Sequence, residues 1–386
     1  MDARDYRVEI EGFTEIQREV EVLRKYGFDY LTQKGKVGQV INMLHPKRLS
    51  LRVSEIRQET GTTKTFRLVS AEAYLPPFQA GQYINLFVQV GGVRTSRPYS
   101  IASPPNQTGY YEITVRRVED GFVSSYLLDA VRVGDEFEST SPSGNFFHNP
   151  LFHGDDLVFL AGGSGITPFM SMIREMTDRG LKRHIHLIYG CRHPDDIIFQ
   201  EELEDRRRRH DNLQITPVIS APPRGYLGLT GFITANLIRK TLGDVSPKTF
   251  YVCGPEEMYA FCLPELEKLG VPKKRIRLEV FGPPQDVTTQ PGWPGDLSRD
   301  ATFSLKVIGG RTIAARAGEP MMISLEKAGI PVPASCRSGE CSLCRTKLVA
   351  GKVFQPQGTK LRKSDRLFGY IHPCLAYPLE DCEIMI

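Results

Sequence analysis

Residues 336–344, CRSGECSLC, place three cysteines within nine positions. Cys336-x4-Cys341-x2-Cys344 is followed by Cys374 further along the chain. Four thiolates in this spacing suit a compact [2Fe–2S] rhomb, because one tight loop wraps three ligands while the fourth approaches from the other side. Gly339 and the small residues Ser335, Ser338 and Ser342 let backbone amides come close to the sulfur atoms. Such amide donors stabilise the reduced, more negative centre. A zinc site is the competing assignment, but zinc loops usually pair two short CxxC-like units, and this chain has one such pair with two outlying cysteines. The other four cysteines, Cys191, Cys253, Cys262 and Cys382, are scattered.

A one-electron centre needs an electron source, and three further stretches supply candidates. RPYS, residues 97–100, follows segments that alternate as strands (LSLRVSEI, TKTFRLVS, QYINLFVQV), broken by Gly and Pro. That rhythm predicts an antiparallel barrel. Arg97 can fork onto a phosphate. Tyr99 can lie against an aromatic ring system, and Ser100 can reach a ring nitrogen. After the strand EITVRRV comes GFVSSYL, residues 121–127. A glycine turn opening a helix presents free amides and a positive dipole end to a pyrophosphate. Then DDLVFLAGGSGITPFMSMIREM, residues 155–176, runs a buried strand into a Gly-rich turn and a helix with Met170, Ile173 and Met176 on one side. The turn is not GxGxxG, so the two-glycine dinucleotide fingerprint is absent. The later apolar segments HIHLIYG, NLQITPVIS and KTFYVCGP alternate with helices and predict a parallel sheet, whose ligands sit at the carboxyl ends of the strands.

Taken together, RPYS, EITVRR, GFVSSYL, GGSGITP, YVCGP and RLEVFGP resemble the ferredoxin–NADP reductase superfamily. Residues 301–386 resemble a plant-type ferredoxin domain of β-grasp fold. The order of parts is similar to the reductase components of bacterial oxygenase and demethylase systems. The resemblance implies Arg97, Pro98, Tyr99 and Ser100 at a flavin, backbone contacts near Thr114 and Arg116, and pyrophosphate contacts at Gly121, Phe122, Val123 and Ser124. It implies Gly163, Ser164, Gly165, Ile166, Thr167 and Pro168 as the pyridine-nucleotide loop, with Cys253, Gly254 and Pro255 beside the nicotinamide. Cys253 read by itself is a small buried hydrophobe; the resemblance makes it an orienting group. Glu279 and Phe281 would face the flavin, with Ser100, Cys253 and Glu279 as the orienting and proton-handling set. FAD is expected rather than FMN, because the FMN-binding relatives carry a Gly-rich, Arg-containing turn where this chain has GFVSSYL. Arg192 stands at the end of the second strand, where a 2′-phosphate would need a cation, and slightly favours NADPH over NADH. Asp195 and Asp196 follow closely and cloud that choice.

The elements that must hold these groups divide the chain into five parts. A helical extension is expected over 1–47, the flavin barrel over 48–150, the α/β nucleotide domain over 151–281, a Pro/Gly-rich linker over 282–300 and the ferredoxin domain over 301–386. The linker holds four prolines and three glycines and no apolar pattern. It is expected to behave as a flexible coil of about 24 Å r.m.s. span, with Trp293 as a candidate pin. In the extension, TEIQREVEVLRKYG is expected to form a helix with Thr14 and Gln17 as a capping box, an Ile16–Val20–Leu23 stripe and Gly27 as its stop. That stripe would pack on the barrel or dock a partner. The Arg206–Arg209 run reads as a solvated helix face. Cys382 reads as core.

With 386 residues, 40% hydrophobic and 24% charged, the chain is long enough for two or three globular domains. A net charge of +4 and the lack of a recognition-helix or zinc-finger pattern argue against nucleic acid. No apolar run approaches the roughly 20 residues of a membrane span, and the charged opening MDARDYRVEIEG lacks a signal-peptide core, so a cytoplasmic location is expected. Residues 301–386 carry 12 Lys and Arg against 7 Asp and Glu, a formal +5. Free plant ferredoxins are acidic, so this domain departs from its relatives, and KLRKSDR, residues 360–366, concentrates the charge. An acidic docking surface on the protein acceptor is the expectation. The expected function is transfer from NAD(P)H through FAD and the [2Fe–2S] centre to a protein. The alternatives are a relay subunit without its own NAD(P)H oxidation, a reductase of a small acceptor at the flavin, and a redox-sensing interaction module.

Overall fold

The computed structural model describes residues 12–27, 30–72 and 74–386. Two units are distinct, residues 1–47 and 48–386. In the first, a helix runs over Phe13–Lys25 and a second over Tyr30–Leu44. The first helix starts one residue before Thr14 and its N-cap is Gly12, without a side-chain cap bond. The expected capping box is therefore not formed, because Thr14 already has helical neighbours on both sides. Gly27 stops the helix as expected, at φ 80°.

In the second unit, six antiparallel strands form the flavin barrel. Their order is Val93–Ser100, Tyr83–Val90, Glu136–Ser139, Leu49–Thr60, Thr63–Ser70, Tyr111–Arg116. An Ile101–Ile113 bridge joins the two ends of that order and closes the sheet. Alternation builds the core: Leu51, Val53, Phe66, Leu68, Ile84, Leu86, Ile113 and Val115 all point inward. Pro98 falls on a strand that has one named neighbour, so its missing N–H breaks no ladder.

The nucleotide domain is a six-stranded parallel sheet, ordered Leu229–Thr230, Leu213–Ile219, His184–Cys191, Asp156–Gly162, Thr249–Cys253, Ile276–Glu279. The helix Ile166–Asp178 packs between this sheet and the barrel, with Phe169, Met170 and Ile173 fully buried. Its Arg174 donates to Glu112 of the barrel at 2.7 Å and to the Ala102 carbonyl at 3.0 Å. Glu202 takes the other side of that guanidinium, 2.9 Å from Nε. Arg57 and Arg67 also reach Glu112, at 2.9 and 3.0 Å. Arg206 of the four-arginine run joins the edge of the same network through Glu202, and the other three arginines pair with Glu204 and Asp205 on their own helix.

The C-terminal domain is a mixed five-stranded sheet, ordered Thr312–Arg316, Thr302–Val307, Cys382–Met385, Thr346–Ala350, Tyr370–Ile371. The outer hairpin is antiparallel and the central pair parallel, which is the β-grasp arrangement. The helix Met321–Lys327 buries Met321, Met322 and Leu325 in its core, and Cys382 is core as expected.

The 282–300 segment departs from the expected free coil. Val287 is buried among Phe354 and Tyr377 of the ferredoxin domain, with Trp293 against both rings at 5.4 and 6.3 Å. At its other end Gln285 N–H and the Gln290 amide bind Glu256 of the nucleotide domain at 3.0 and 2.8 Å. Composition alone missed this because one valine and one tryptophan carry the packing. The expectation that Trp293 pins the segment matches the structure.

Candidate functional site

One cleft of about 1450 Å³ gathers residues from all three domains. The barrel supplies its first wall. Arg97, Pro98, Tyr99 and Ser100 come from one strand, and Thr114 and Arg116 from the strand that closes the sheet. The helix Phe122–Asp129 opens at Gly121, which lies in the extended region and offers no side-chain cap. The first amides of that helix, at Phe122, Val123 and Ser124, therefore lack intrahelical partners where they line the cleft. A side chain at position 121 would meet Ser124 Oγ at 2.2 Å, so glycine alone fits.

Arg97 is the most telling group on this wall. Its guanidinium donates to Thr95 Oγ1 at 2.8 Å and to the Ser96 carbonyl at 2.7 Å. It forms no ion pair with any described residue. Burial, and then the neighbouring charge of Arg337, pull it down to about 10. A cation held this way is stabilised by an anion arriving from the cleft. The site thus fits a flavin carrying phosphate: an unpaired arginine, free helix amides and a half-buried Tyr99 stand around one space.

The nucleotide domain supplies the second wall. Gly163 adopts φ 51°, and a Cβ there would lie 2.4 Å from the Arg116 guanidinium. A Cβ on Gly165 would lie 2.1 Å from the Cys253 carbonyl oxygen. The two loops pack backbone to backbone, which requires glycine. Ser164 is exposed at the tip of the turn, and Thr167 donates to its carbonyl at 2.8 Å. Pro168, Cys253, Gly254 and Pro255 line the cleft. Ile166 does not: it is fully buried beneath the loop and anchors it. Arg192 lines the cleft beside Ser220. Of the two clouding acids, Asp196 lies 3.8 Å from Arg116 and accepts from His193 N–H. The carboxylates that line the cleft are Glu119 and Glu257.

Phe281 lines the cleft and meets Tyr83 edge-on at 5.7 Å. Glu279 stands behind it rather than in the lining. Its carboxyl is pushed up to about 8, first by burial and then by the charges of Glu340 and Cys336. The Cys253 thiol is also pushed up, by burial and by Glu279. Tyr259 tethers this corner, accepting from Gly254 N–H at 3.1 Å and donating to the Glu279 carbonyl.

The ferredoxin domain supplies the third wall. Pro320, Met322, Ile323, Arg337 and Cys374, all from the C-terminal domain, line the same cleft. The four cysteines stand in two close pairs, Cys336 with Cys341 and Cys344 with Cys374. Positive φ at Arg337, Gly339 and Ser342 curls the loop inward. Amides of Ser338, Glu340 and Cys341 then donate to Cys336 Sγ at 3.5, 3.4 and 3.3 Å. The Cys341 thiol, then the Ser338 hydroxyl and the amides of Cys341 and Ser338, hold the Cys336 thiol below its ordinary value against the effect of burial. Cys344 and Cys374 sulfurs lie 3.4 Å apart, and Cys341 is the exposed member. Among the described residues, no three His, Cys, Asp or Glu side chains converge on one point as a single ion requires. Three amides donating to Cys336 Sγ, together with the x4 and x2 intervals, suit a two-iron rhomb. His372 donates through Nδ1 to the Gly339 carbonyl at 3.0 Å and so braces the ligand loop from behind.

Sequence reasoning also passed over Phe232 and Phe261, rings 5.6 Å apart on the rim, and over Arg337. Arg337 carried one usable signal, its place next to a ligand cysteine.

Comparison with known proteins agrees with this layout. An oxidoreductase FAD-binding domain matches residues 50–148, an oxidoreductase NAD-binding domain 159–263, and a 2Fe-2S iron-sulfur cluster binding domain 306–379. The chain is 30% identical over 337 residues to NADH oxidoreductase HCR of Escherichia coli, covering 86% of this chain and 95% of that one. It is 28% identical over 348 residues to the glycine betaine monooxygenase reductase subunit of Pseudomonas aeruginosa, covering 86% and 94%. Among solved structures, phthalate dioxygenase reductase shares the fold at TM-score 0.65 and 24% identity, over 88% of this chain and 97% of that one.

Proposed function

The chain belongs to the oxidoreductases that join FAD-, NAD- and 2Fe-2S-binding domains, and we propose how its own residues divide that work. Its function is electron transfer from NAD(P)H through FAD and a [2Fe–2S] centre to a protein acceptor. FAD supplies the conversion of one hydride into two single electrons. Arg97 and the free amides of Phe122, Val123 and Ser124 would hold its phosphates, Gly121 opening that helix, and Tyr99 and Ser100 would hold its ring system. Thr114 and Arg116 line the same cleft and would lie at its edge. Gly163, Ser164, Gly165, Thr167 and Pro168, with Cys253, Gly254 and Pro255, would hold the nicotinamide nucleotide, and Phe281 would face the flavin. Glu279 stands one layer back, its carboxyl raised by burial, and would serve as a proton-handling group beside Cys253.

The observation that carries this reading is the position of Cys374. A cluster ligand lines the same cleft as Arg97, Tyr99 and Ser100. No separate carrier then has to travel between flavin and cluster. Anaerobic addition of NADH and, separately, NADPH, followed by absorbance and EPR, tests it. Bleaching of the flavin, then a reduced-cluster signal, is expected. A cluster signal with dithionite but no bleaching by either nucleotide would refute the reading.

Arg192 and Ser220 offer a cation and a hydroxyl to a 2′-phosphate, while the name of the Escherichia coli relative speaks for NADH. The ratio of the two kcat/KM values decides. For the acceptor we propose an oxygenase or demethylase component with an acidic face, since several relatives are reductase subunits of such systems. Lys360, Arg362, Lys363 and Arg366 lie beside exposed Leu367 and Phe368, and Lys360 N–H reaches the Gly339 carbonyl of the ligand loop. Transfer to the acceptor is expected to slow about tenfold between 0.02 and 0.3 M salt. A rate indifferent to salt would remove the acidic face from the proposal. No described helix is long and apolar enough to cross a membrane, and a cytoplasmic site of action fits that.

A further inference from the structure

The ferredoxin domain meets the barrel through a row of buried polar groups that the reaction itself does not use. Asn85, fully buried, donates through its side-chain amide to Ser96 Oγ at 2.9 Å and to the Ala334 carbonyl at 3.0 Å. Tyr83 and Ser335 hydroxyls meet at 3.3 Å. Thr95 Oγ1 lies 2.9 Å from Glu326 Oε2. Arg337 reaches both barrel hydroxyls, Thr95 at 3.3 Å and Ser96 at 3.2 Å, while pairing with Glu326 inside its own domain.

Thr95 is the node of this row. A hydroxyl has one proton to donate and two lone pairs. Glu326 can only accept, so Thr95 donates to it. Arg97 and Arg337 can only donate, so they take the two lone pairs. Its capacity is filled, in a group only 4% exposed. Arg97 lines the cleft on one side of this hydroxyl, and the cluster loop begins on the other, since Arg337 follows Cys336. Two guanidinium groups face one carboxylate here, leaving one positive charge unmatched until an anion enters the cleft. A phosphate bound at Arg97 would supply the missing negative charge next to the Thr95 hydroxyl, to which Arg97 donates.

We propose that Thr95 is a positioning residue that couples flavin occupancy to docking of the iron–sulfur domain, so that filling the cleft with FAD tightens the seam at Ala334–Ser338. The inference rests on the reading that FAD occupies this cleft. Coupling of this kind is reciprocal: whatever FAD does for the seam, the seam does for FAD.

The test uses the full chain with its cluster intact, as wild type, Thr95→Val, Thr95→Ser and Asn85→Ser. Amide hydrogen exchange of residues 334–338 is read with FAD bound and with FAD removed. In wild type, FAD is expected to slow exchange there by about tenfold, within the range that coupled sites show. Thr95→Val abolishes that FAD dependence and weakens FAD binding by the same factor, and Thr95→Ser restores both. Asn85→Ser, which touches the seam but not Arg97, speeds exchange in both states and preserves their ratio. Should Thr95→Val fail to fold, Glu326→Gln, on the ferredoxin side, reads the same FAD dependence. An FAD effect of the same size in Thr95→Val as in wild type, or none in wild type that still binds FAD, overturns the proposal. Wild type that binds no FAD fails the underlying reading instead.

Discussion

The barrel is held to its two neighbours by different chemistry. Against the nucleotide domain it uses charge: Glu112, 2% exposed, is surrounded by Arg174, Arg57 and Arg67, and Arg174 is forked onto Glu202 behind it. Phe146, Phe159 and Phe169 pack close by. Against the ferredoxin domain it uses hydroxyls and one amide, and the seam's ion pair, Glu326–Arg337, lies wholly on the ferredoxin side. Removing one partner of a buried charge network strands the rest, whereas opening the second seam leaves Arg337 still paired. Hydride transfer needs the first two domains in fixed register. A domain that hands electrons outward is served by a joint with a lower cost of opening.

Arg174→Met tests the stronger joint and carries the largest expected effect. Loss of one member of a buried ion network costs about 3–5 kcal/mol, and since Arg57 and Arg67 still hold Glu112, we expect the low end, about 3 kcal/mol, in urea unfolding. A loss below about 1 kcal/mol would mean that this joint is no stronger than a surface pair. Arg97→Ala should weaken FAD binding by about 2 kcal/mol, roughly thirtyfold, the value of a charge-assisted hydrogen bond. Titration calorimetry of flavin-free protein measures it, and unchanged affinity would detach Arg97 from the flavin.

Glu279→Gln probes the place where the nucleotide domain faces the ferredoxin domain. Its carboxyl is raised from 4.5 to about 8, so the folded state holds a proton that the unfolded state has released between those values. Stability from this group is therefore complete below about pH 4.5. It falls as pH rises toward 8. Melting temperatures across pH 5–9 should decline in wild type and decline less in Glu279→Gln; parallel curves would place the carboxyl in a solvated setting. The smallest effect is expected from Trp293→Ala, about 1 kcal/mol for its edge-on contacts with Phe354 and Tyr377. Flavin reduction by NAD(P)H should be untouched while flavin-to-cluster transfer becomes less uniform in stopped-flow traces. Loss of flavin reduction would show that the segment also supports the nucleotide domain through Glu256.

Much of the chemistry was legible from residue type and spacing. The four candidate ligand cysteines stand in two close pairs, Cys336 with Cys341 and Cys344 with Cys374, and the x4 and x2 intervals bring three of them into one loop. The barrel strands follow the alternation of LSLRV and YINLFV, and the parallel strands follow continuous apolar runs. Glycines at 121, 163, 165 and 254 mark places where backbones touch or turn, and a Cβ at each would collide. These are local constraints, and local sequence encodes them. Glu279 and Ile166 show the boundary of that logic: both belong to correct motifs, yet both lie behind the cleft lining, because strand register and loop burial decide which way a side chain faces.

What the tertiary structure alone decided is which separate parts meet. Arg97 and Arg337 lie 240 positions apart in the chain and share one hydroxyl. Cys374, assigned to a domain beyond a supposed free linker, lines the flavin cleft. The 282–300 segment is ordered by Val287 and Trp293, two side chains too few to leave a periodic pattern. Contacts between domains depend on matched shape and on polar groups that find partners only after each fold has formed. Sequence by itself determined the cofactors and the order of their domains. Folding determined the distance between them.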